Sequence, residues 1–324
     1  MQELVDRIFS IRTEEEFNQC ALEVFHFQKK HVPVYKTFLE LIKRPEPIHY
    51  SEIPHLPIAF FKTHSIIADN QSVQQVFKSS GTTGMVRSIH QVADVSIYES
   101  SFVPTYERFL GKLEDQIIFA LLPNYVSQGE SSLVYMVDKL IDGTKDPLSG
   151  YYLESPESLL SAIAEGRKSG KKLVLFGVSY ALLDLAEMNP DLHDVTVIET
   201  GGMKGKRKEM TKEEMHRELV AGFGCEYIAS EYGMCELLSQ AYSDKNGLFE
   251  LPSWMKISLR EVNDPFELVK QDKTGGVNVM DLANIYSCAF IETQDLGRIE
   301  EGKLRLMGRF DHSDVRGCNL LVAN

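Results

Sequence analysis

The chain has few of the residues that build disulfide frameworks or histidine-held metal sites. Its five cysteines are odd in number and form no C-x-x-C pair, so neither a disulfide framework nor a zinc site is indicated. The nine histidines show no H-E-x-x-H or similar spacing, so a metal held by histidine is not expected. What the 324 residues do have is 43% hydrophobic and 25% charged side chains, which is the balance of a globular protein with a substantial core.

Long apolar runs and an excess of basic residues are also missing. The longest apolar runs, residues 117–122 and 173–178, are far too short to span a bilayer. The N-terminal residues 1–7 lack the basic-then-apolar order of a signal peptide. We therefore expect a cytoplasmic protein without a membrane span. The net charge of −13 argues against a nucleic-acid partner and still permits a local basic pocket for an anionic ligand.

The order of predicted elements indicates an α/β fold. The first 45 residues read as helical, with a capping box at Thr13 to Glu16. From residue 116 to about 228, apolar strands alternate with helices, which predicts parallel strands flanked by helices on both faces. Beyond Trp254 short strands dominate and predict a smaller antiparallel or barrel-like part. The predicted strands of these two regions are residues 117–122, 173–178, 195–198, 225–228, 256–262, 277–282, 288–293 and 303–307.

A loop rich in glycine and hydroxyl side chains is the most specific motif. It lies between predicted strands at residues 73–77 and 89–92, Arg87 follows it, and Asp94 then caps a helix with a kink or interruption at Pro104. Such a loop turns several N–H groups and hydroxyls toward one point, which suits phosphate oxygens. The alternative is a surface turn without a ligand. The loop residues are Ser79, Ser80, Gly81, Thr82, Thr83 and Gly84.

Two later segments suit a purine base. Gly201 and Gly202 follow a predicted strand, and without side chains there a purine can lie close to the backbone. Tyr232, followed by Gly233, offers a flat face for stacking on adenine. Both segments end strands of the predicted parallel sheet, where ligands of open α/β sheets bind.

Three charged residues complete a predicted site for ATP and Mg²⁺. Glu236 is a candidate Mg²⁺ ligand, although a carboxylate at a helix start is the more common role of such a residue. Asp295 is a candidate acceptor for both ribose hydroxyls, with a hairpin-turn aspartate as the alternative. Arg309 is a candidate donor to ribose or phosphate.

The serial order of these motifs resembles the adenylate-forming superfamily of acyl-CoA synthetases, firefly luciferases and peptide-synthetase adenylation domains. The loop is similar to the signature S/T-S-G-T-T-G-x-x-K, residues 232–236 to Y-G-x-T-E, and residues 308–311 to G-R-x-D. The resemblance covers roughly residues 50–317. It implies the large N-terminal domain of these enzymes and the ATP- and Mg²⁺-dependent activation of a carboxylic acid as an acyl adenylate.

The sequence departs from the superfamily pattern in three places. Arg87 stands where lysine is usual, which keeps the charge and changes its geometry. Cys235 stands where threonine is usual, so the hydroxyl expected at the α-phosphate is missing. Only seven residues follow Gly317. We therefore expect the small C-terminal domain, with its adenylation lysine, to be essentially absent.

The tail at residues 315–318 looks most like the acyl-protein synthetase (LuxE-like) branch of bacterial bioluminescence. That resemblance implies a fatty acid as substrate, Cys318 as the acyl-carrying nucleophile and an acyl-accepting reductase or carrier protein as partner. Arg316 is placed to lower the pKa of that thiol. A free thiol without a role is the alternative for Cys318. For the whole chain the alternatives are a ligase acting on coenzyme A or a carrier protein, and a catalytically impaired nucleotide-binding subunit.

We divide the chain into four predicted parts. Residues 1–60 form an N-terminal helical segment, 61–250 the nucleotide-binding core, 251–310 a β-rich subdomain and 311–324 a short tail.

Overall fold

The computed structural model describes residues 1–80, 86–122, 130–153, 155–201, 207, 210–269 and 273–309. Eight α-helices and fourteen β-strands lie in these ranges. None of the helices within them is long and apolar enough to cross a membrane.

Three helices form the N-terminal part, as predicted: α1 (Gln2–Phe9), α2 (Glu14–His31) and α3 (Pro33–Ile42). The capping box is confirmed, because Thr13 Oγ1 accepts from the Glu16 N–H at 3.2 Å and Glu16 Oε2 accepts from the Thr13 N–H at 3.1 Å. Helix α2 turns an apolar face inward. The buried side chains of that face are Phe17, Cys20, Ala21, Val24 and Phe25.

A short hairpin carries the glycine loop. Its strands are β2 (Gln75–Lys78) and β3 (Ile89–Val92), which pair antiparallel, and the two-residue strand β1 (Leu56–Pro57) precedes them. Helix α4 (Val95–Leu110) follows, and Asp94 caps it by accepting from the Ser96 N–H at 3.0 Å. Pro104 lies inside this helix, which continues to Leu110 without interruption.

The central part is a parallel sheet flanked by helices, as the alternating pattern predicted. Its strands run in the order β5-β4-β6-β7-β8. They are β4 (Gln116–Leu121), β5 (Gly150–Tyr151), β6 (Lys172–Val178), β7 (Val195–Thr200) and β8 (Ile228–Tyr232). The helices are α5 (Ser132–Thr144), α6 (Pro156–Gly166), α7 (Ser179–Ala186) and α8 (Lys212–Phe223).

Three of these elements differ from the sequence prediction, and the two-residue strand β5 is one that was not predicted. Helix α5 was not predicted. Strand β8 occupies Ile228–Tyr232, whereas the apolar pattern placed a strand at residues 225–228. Gly224 ends α8 with φ of +64°, and residues 225–227 form the connection to the strand. The strand then contains polar residues that are buried, which an apolar pattern does not detect.

The antiparallel part continues the same sheet. Strand β8 pairs in parallel with β7 on one side and antiparallel with β9 on the other. Six strands follow in the spatial order β9-β10-β14-β13-β12-β11, and β1 adds to β13, so the described residues form a sheet of twelve strands. These strands are β9 (Ala241–Ser243), β10 (Phe249–Glu250), β11 (Met255–Arg260), β12 (Gly275–Asp281), β13 (Phe290–Glu300) and β14 (Lys303–Arg309).

The buried amide of Gln28 joins the first helices to the antiparallel strands. Its Nε2 donates to Asn284 O at 3.0 Å and to Ile285 O at 2.9 Å, and its Oε1 accepts from the Ala289 N–H at 3.1 Å. The side chain is fully buried. Helix α2 is therefore bonded to residues that lie more than 250 positions away along the chain.

We expect Gln28→Leu to lower the free energy of unfolding by about 3 kcal/mol, because three buried backbone groups lose their partners. Urea unfolding followed by circular dichroism measures this. The control is Gln19→Leu on the same helix, where the exposed amide donates to Glu15 Oε1 at 3.1 Å, and we expect a change below about 0.5 kcal/mol. Equal losses in the two variants would contradict the role assigned to Gln28.

Candidate functional site

Three predicted site residues from distant parts of the chain meet at one end of the sheet. Tyr232 ends β8, Asp295 lies in β13, and Arg309 ends β14 opposite Asp295 in register. Tyr232 Oη donates to Asp295 Oδ2 at 2.8 Å, and Arg309 Nε lies 3.1 Å from Asp295 Oδ1. The Arg309 side chain is 68% exposed, so its guanidinium combines a fixed anchor on Asp295 with access to solvent.

Electrostatics at this cluster reflect its burial. Burial raises the pKa of Asp295 above its usual range, while Arg309 and the Tyr232 hydroxyl oppose the rise. Tyr232 itself is buried, and its ring meets Phe249 edge-on with a centroid distance of 5.9 Å. The hydroxyl of Tyr232 therefore positions Asp295. The predicted stacking of its ring on adenine stays a prediction.

The two ends of the glycine loop are clamped together. Ser79 N–H donates to Ser88 O at 3.0 Å, and Ser88 N–H donates to Ser79 Oγ at 2.9 Å. Arg87 Nε donates to Ser79 O, and its Nη2 lies 3.4 Å from Lys78 O. These bonds fix where the loop leaves and re-enters the hairpin. Ser80, at the start of the loop, is exposed to solvent.

The segment with Cys235 and Glu236 is held against this hairpin by a buried histidine. His90 Nδ1, from β3, lies 2.7 Å from Cys235 O, and His90 Nε2 lies 3.0 Å from Asn284 Oδ1. Asn284 Nδ2 in turn donates to Glu236 O at 2.7 Å. The glycine-loop hairpin and the tyrosine–glycine segment, which the sequence predicted to share a site, are thus physically joined.

A buried aspartate orders the chain after Glu236. Asp281 Oδ2 accepts from the Leu238 N–H at 2.8 Å and from the Ser239 N–H at 3.0 Å. Burial raises the pKa of Asp281 to about 6, and hydrogen bonds from Ser239, Leu238 and Ala283 oppose the rise. Our sequence analysis missed His90, Asn284 and Asp281. The only local signal was the aspartate at the end of a strand, where its side chain accepts from the Ala283 N–H two residues on, as in an Asx turn.

Glu236 is buried, and its carboxylate influences the neighbouring thiol. Burial raises the pKa of Cys235 well above its usual range, Glu236 raises it further, and Arg87 opposes the rise. Cys235, Glu236 and Arg87 are therefore within electrostatic range of one another. No group of three or more metal-ligating side chains exists within the described residues. One carboxylate is consistent with Mg²⁺, which completes its shell with water and phosphate oxygens.

Glycine is favoured at residues 201 and 233 for two different reasons. Gly201 follows β7 with φ of +73°, a conformation that favours glycine. At Gly233 a Cβ would collide with the Glu231 carboxylate, so any other residue there would have to displace that buried side chain. The remaining predicted site residues lie outside the described residues. They are Gly81, Thr82, Thr83, Gly84, Gly202, Arg316 and Cys318.

Comparison with known proteins identifies the fold. No family model and no curated protein matches the chain. One similar structure is a 2-hydroxyisobutyryl-CoA ligase, solved with 2-HIB-AMP and CoA in its thioesterification state, which superposes with a TM-score of 0.65 at 12% sequence identity. The superposition covers 96% of this chain and 68% of the ligase chain. Apo MatB from Rhodopseudomonas palustris gives a TM-score of 0.53 at 16% identity and covers 76% of this chain.

An ATP-bound RpMatB–BxBclM chimera gives a TM-score of 0.55 at 18% identity and covers 73% of this chain. The chain spans about half the length of the chimera and of MatB, at 48% and 50%. At these identities the likeness establishes the fold. The chain has the α/β fold of the N-terminal domain of adenylate-forming enzymes, as the motif order predicted.

We expect Tyr232→Phe to lower the free energy of unfolding by about 2 kcal/mol at pH 7, because a hydroxyl–carboxylate bond is lost. The loss should shrink toward pH 4. In the folded protein the pKa of Asp295 is raised, so ionisation of Asp295 destabilises the fold as the pH rises past the pKa of the unfolded state. Without the Tyr232 hydroxyl the folded pKa rises further, so the variant loses more stability at pH 7 than at pH 4.

Urea unfolding at several pH values between 4 and 7 measures the effect. The control is Tyr152→Phe, which removes a bond of 2.8 Å to the neutral carbonyl of Leu148. Its cost should not change with pH over this range. A Tyr232→Phe loss that is equally independent of pH would show that the hydroxyl does not act through Asp295.

Proposed function

We propose that this protein is a cytoplasmic ligase that uses ATP and Mg²⁺ to activate a carboxylic acid as an acyl adenylate. The observation that carries the proposal is the convergence of Tyr232, Asp295 and Arg309 at the end of the sheet. The junction of the glycine-loop hairpin with Cys235 and Glu236 supports it. The shared fold is also consistent, since solved structures with this fold include complexes with ATP and with an acyl-AMP.

In the proposed reaction the predicted site residues have distinct chemical parts. A carboxylate oxygen of the acid attacks the α-phosphorus of ATP, and pyrophosphate leaves with the bonding electron pair. Arg87 offsets phosphate charge, and Asp295 with Arg309 binds the ribose. Glu236 would hold Mg²⁺, which neutralises phosphate oxygens when bound. The glycine loop, including Gly81 to Gly84, supplies N–H groups and hydroxyls to the phosphates.

For the second step we propose an acyl-protein synthetase. The Cys318 thiolate attacks the carbonyl carbon of the acyl adenylate, AMP leaves, and a thioester forms. Arg316 favours the thiolate. A fatty acid is the proposed substrate, and a reductase or carrier protein the proposed acceptor. The four described cysteines support this assignment indirectly, because all are buried with raised pKa values, and burial raises the pKa of Cys288 to about 12.

The first step is tested at Arg309. We expect Arg309→Ala to weaken ATP binding by roughly 10- to 100-fold, because a charged hydrogen bond to the nucleotide is lost. Isothermal calorimetry with ATP and Mg²⁺ measures the dissociation constant. Arg305→Ala is the control on the same strand, since Arg305 contacts Glu300 at 2.7 Å and the carbonyl of Asn246. It should change the constant by less than about twofold. Similar weakening in both variants would count against the assignment of Arg309.

The second step is tested by intact mass after incubation with ATP, Mg²⁺ and a panel of fatty and aryl acids. We expect the wild type to gain one acyl group, and Cys318→Ser to gain none while retaining acid-dependent pyrophosphate exchange. Cys225→Ser is the control, since its thiol is buried and donates to Tyr227 O, and it should load as the wild type does.

Other outcomes separate the alternatives. Pyrophosphate exchange without covalent loading of the protein, together with an acyl product on added coenzyme A, would show that the protein is a coenzyme A ligase and not an acyl-protein synthetase. The thiol of Cys235 at the usual threonine position favours a third candidate, a nucleotide-binding subunit without catalysis. ATP binding by folded protein, with no exchange for any acid, would establish that candidate.

A further inference from the structure

Two buried carboxylates lie at adjacent strand ends, immediately before the glycine and tyrosine turns of the proposed site. Glu199 is the residue before the last of β7, and Glu231 is the residue before the last of β8. The register pairs Glu199 with Ser230. Thr200 Oγ1 donates to Glu231 Oε2 between the two strand ends. This bond links the strand that leads into Gly201 to the strand that leads into Tyr232.

The partners of the two carboxylates differ in charge. Lys212 Nζ lies 2.6 Å from Glu199 Oε1, and the hydroxyls of Ser179 and Ser230 donate to the same carboxylate at 3.0 and 2.9 Å. Glu231 is 8% exposed and forms no ion pair within the described residues. The structure thus places the cation on Glu199 and leaves Glu231 with the uncharged Thr200.

The surroundings of Glu231 favour its neutral form. Burial raises the pKa of Glu231 to about 7, and the charge of Glu199 adds to the rise, while Thr200 and Lys212 oppose it. The other titratable groups facing it are Tyr98 of α4 and Tyr242 of β9, both uncharged at this pH because burial raises their pKa values.

Two polar atoms beside Glu231 have no partner among the described residues. They are Tyr242 Oη and Gln240 Oε1, both on buried side chains. Tyr242 lies directly opposite Glu231 in the β8–β9 pairing. Gln240 and the Glu231 carboxylate both border Gly233. Tyr242 Oη can donate or accept, whereas Gln240 Oε1 only accepts, and an unpartnered acceptor beside the carboxyl group suits a protonated acid better than a second negative charge.

We propose that Glu231 is a positioning residue of the nucleotide site: as a neutral acid bonded to Thr200, it ties the Gly201 turn to the Tyr232–Gly233 turn, and ATP binding keeps it neutral by taking up a proton. The inference rests on the proposed function. The physical reason is that an ionised carboxylate directly behind a polyanion repels it, whereas the neutral acid retains the tie between the two turns.

The test is ATP binding with Mg²⁺, in the absence of any carboxylic acid, between pH 6.5 and 8.5 in two buffers of different ionisation enthalpy. We expect the dissociation constant of the wild type to rise by roughly tenfold over this range, with net proton uptake. In Glu231→Gln, which preserves shape and the acceptor for Thr200, the contribution of Glu231 to both the rise and the uptake should disappear, leaving only the part that ATP's own titration gives. ATP's own titration is common to all variants and cancels in the comparison.

Two further variants separate charge from structure. Glu213→Gln changes an exposed carboxylate on α8 and should behave as the wild type. Thr200→Val breaks the tie but keeps the acid, so we expect weaker ATP binding at every pH with proton uptake retained. A merely structural role for Glu231 would leave the pH profile of Glu231→Gln unchanged. Infrared spectra of ligand-free protein at pH 6.5 should show a protonated-carboxyl band in the wild type that Glu231→Gln lacks.

The outcomes are distinguishable. Wild-type protein that binds no ATP at any pH overturns the proposed function and this inference with it. ATP binding with the same pH slope in Glu231→Gln as in the wild type overturns the inference alone, as does the absence of the protonated-carboxyl band from the wild type.

Discussion

The structure depends on the two different pairings of strand β8. On one side it runs parallel to β7, so its carboxyl end lies beside the turn at Gly201. On the other side it pairs antiparallel with β9, which begins the half of the sheet that contains β13 and β14. The last residue of β8, Tyr232, therefore stands where a parallel sheet changes into an antiparallel one. Open α/β sheets bind ligands beyond the carboxyl ends of their parallel strands, which is the end of β8 where Tyr232 lies.

Buried polar side chains, rather than apolar contacts alone, fix the geometry of the chain that follows Tyr232. His90, Asn284 and Asp281 bond backbone groups of residues 235–239, a segment without regular secondary structure. Backbone groups outside helices and strands need partners when they are buried, and each unmade bond costs free energy. The same bonds hold the segment in one conformation. The same hydrogen bonds thus preorganise the site and give the buried backbone groups their partners.

Sequence reasoning succeeded where the cause is local. The capping box at Thr13 forms as predicted, because its donors and acceptors lie three residues apart. The apolar strands β4 and β6 were predicted within a residue of their observed ends. It failed at β8, where Ser230 and Glu231 are buried through polar contacts made across the sheet. The contact between His90 and Cys235 spans 145 residues and leaves no local trace.

The arrangement of charge explains how an acidic chain can present an anion site. With a net charge of −13, a polyphosphate ligand meets repulsion from the protein as a whole. Arg87 is near Cys235, and Arg309 is anchored on Asp295. Of the carboxylates Glu199 and Glu231, Glu199 is neutralised by Lys212 and therefore contributes little net charge. The other member of this pair, Glu231, has no ion pair among the described residues, so in the proposed site its state of protonation changes the local potential.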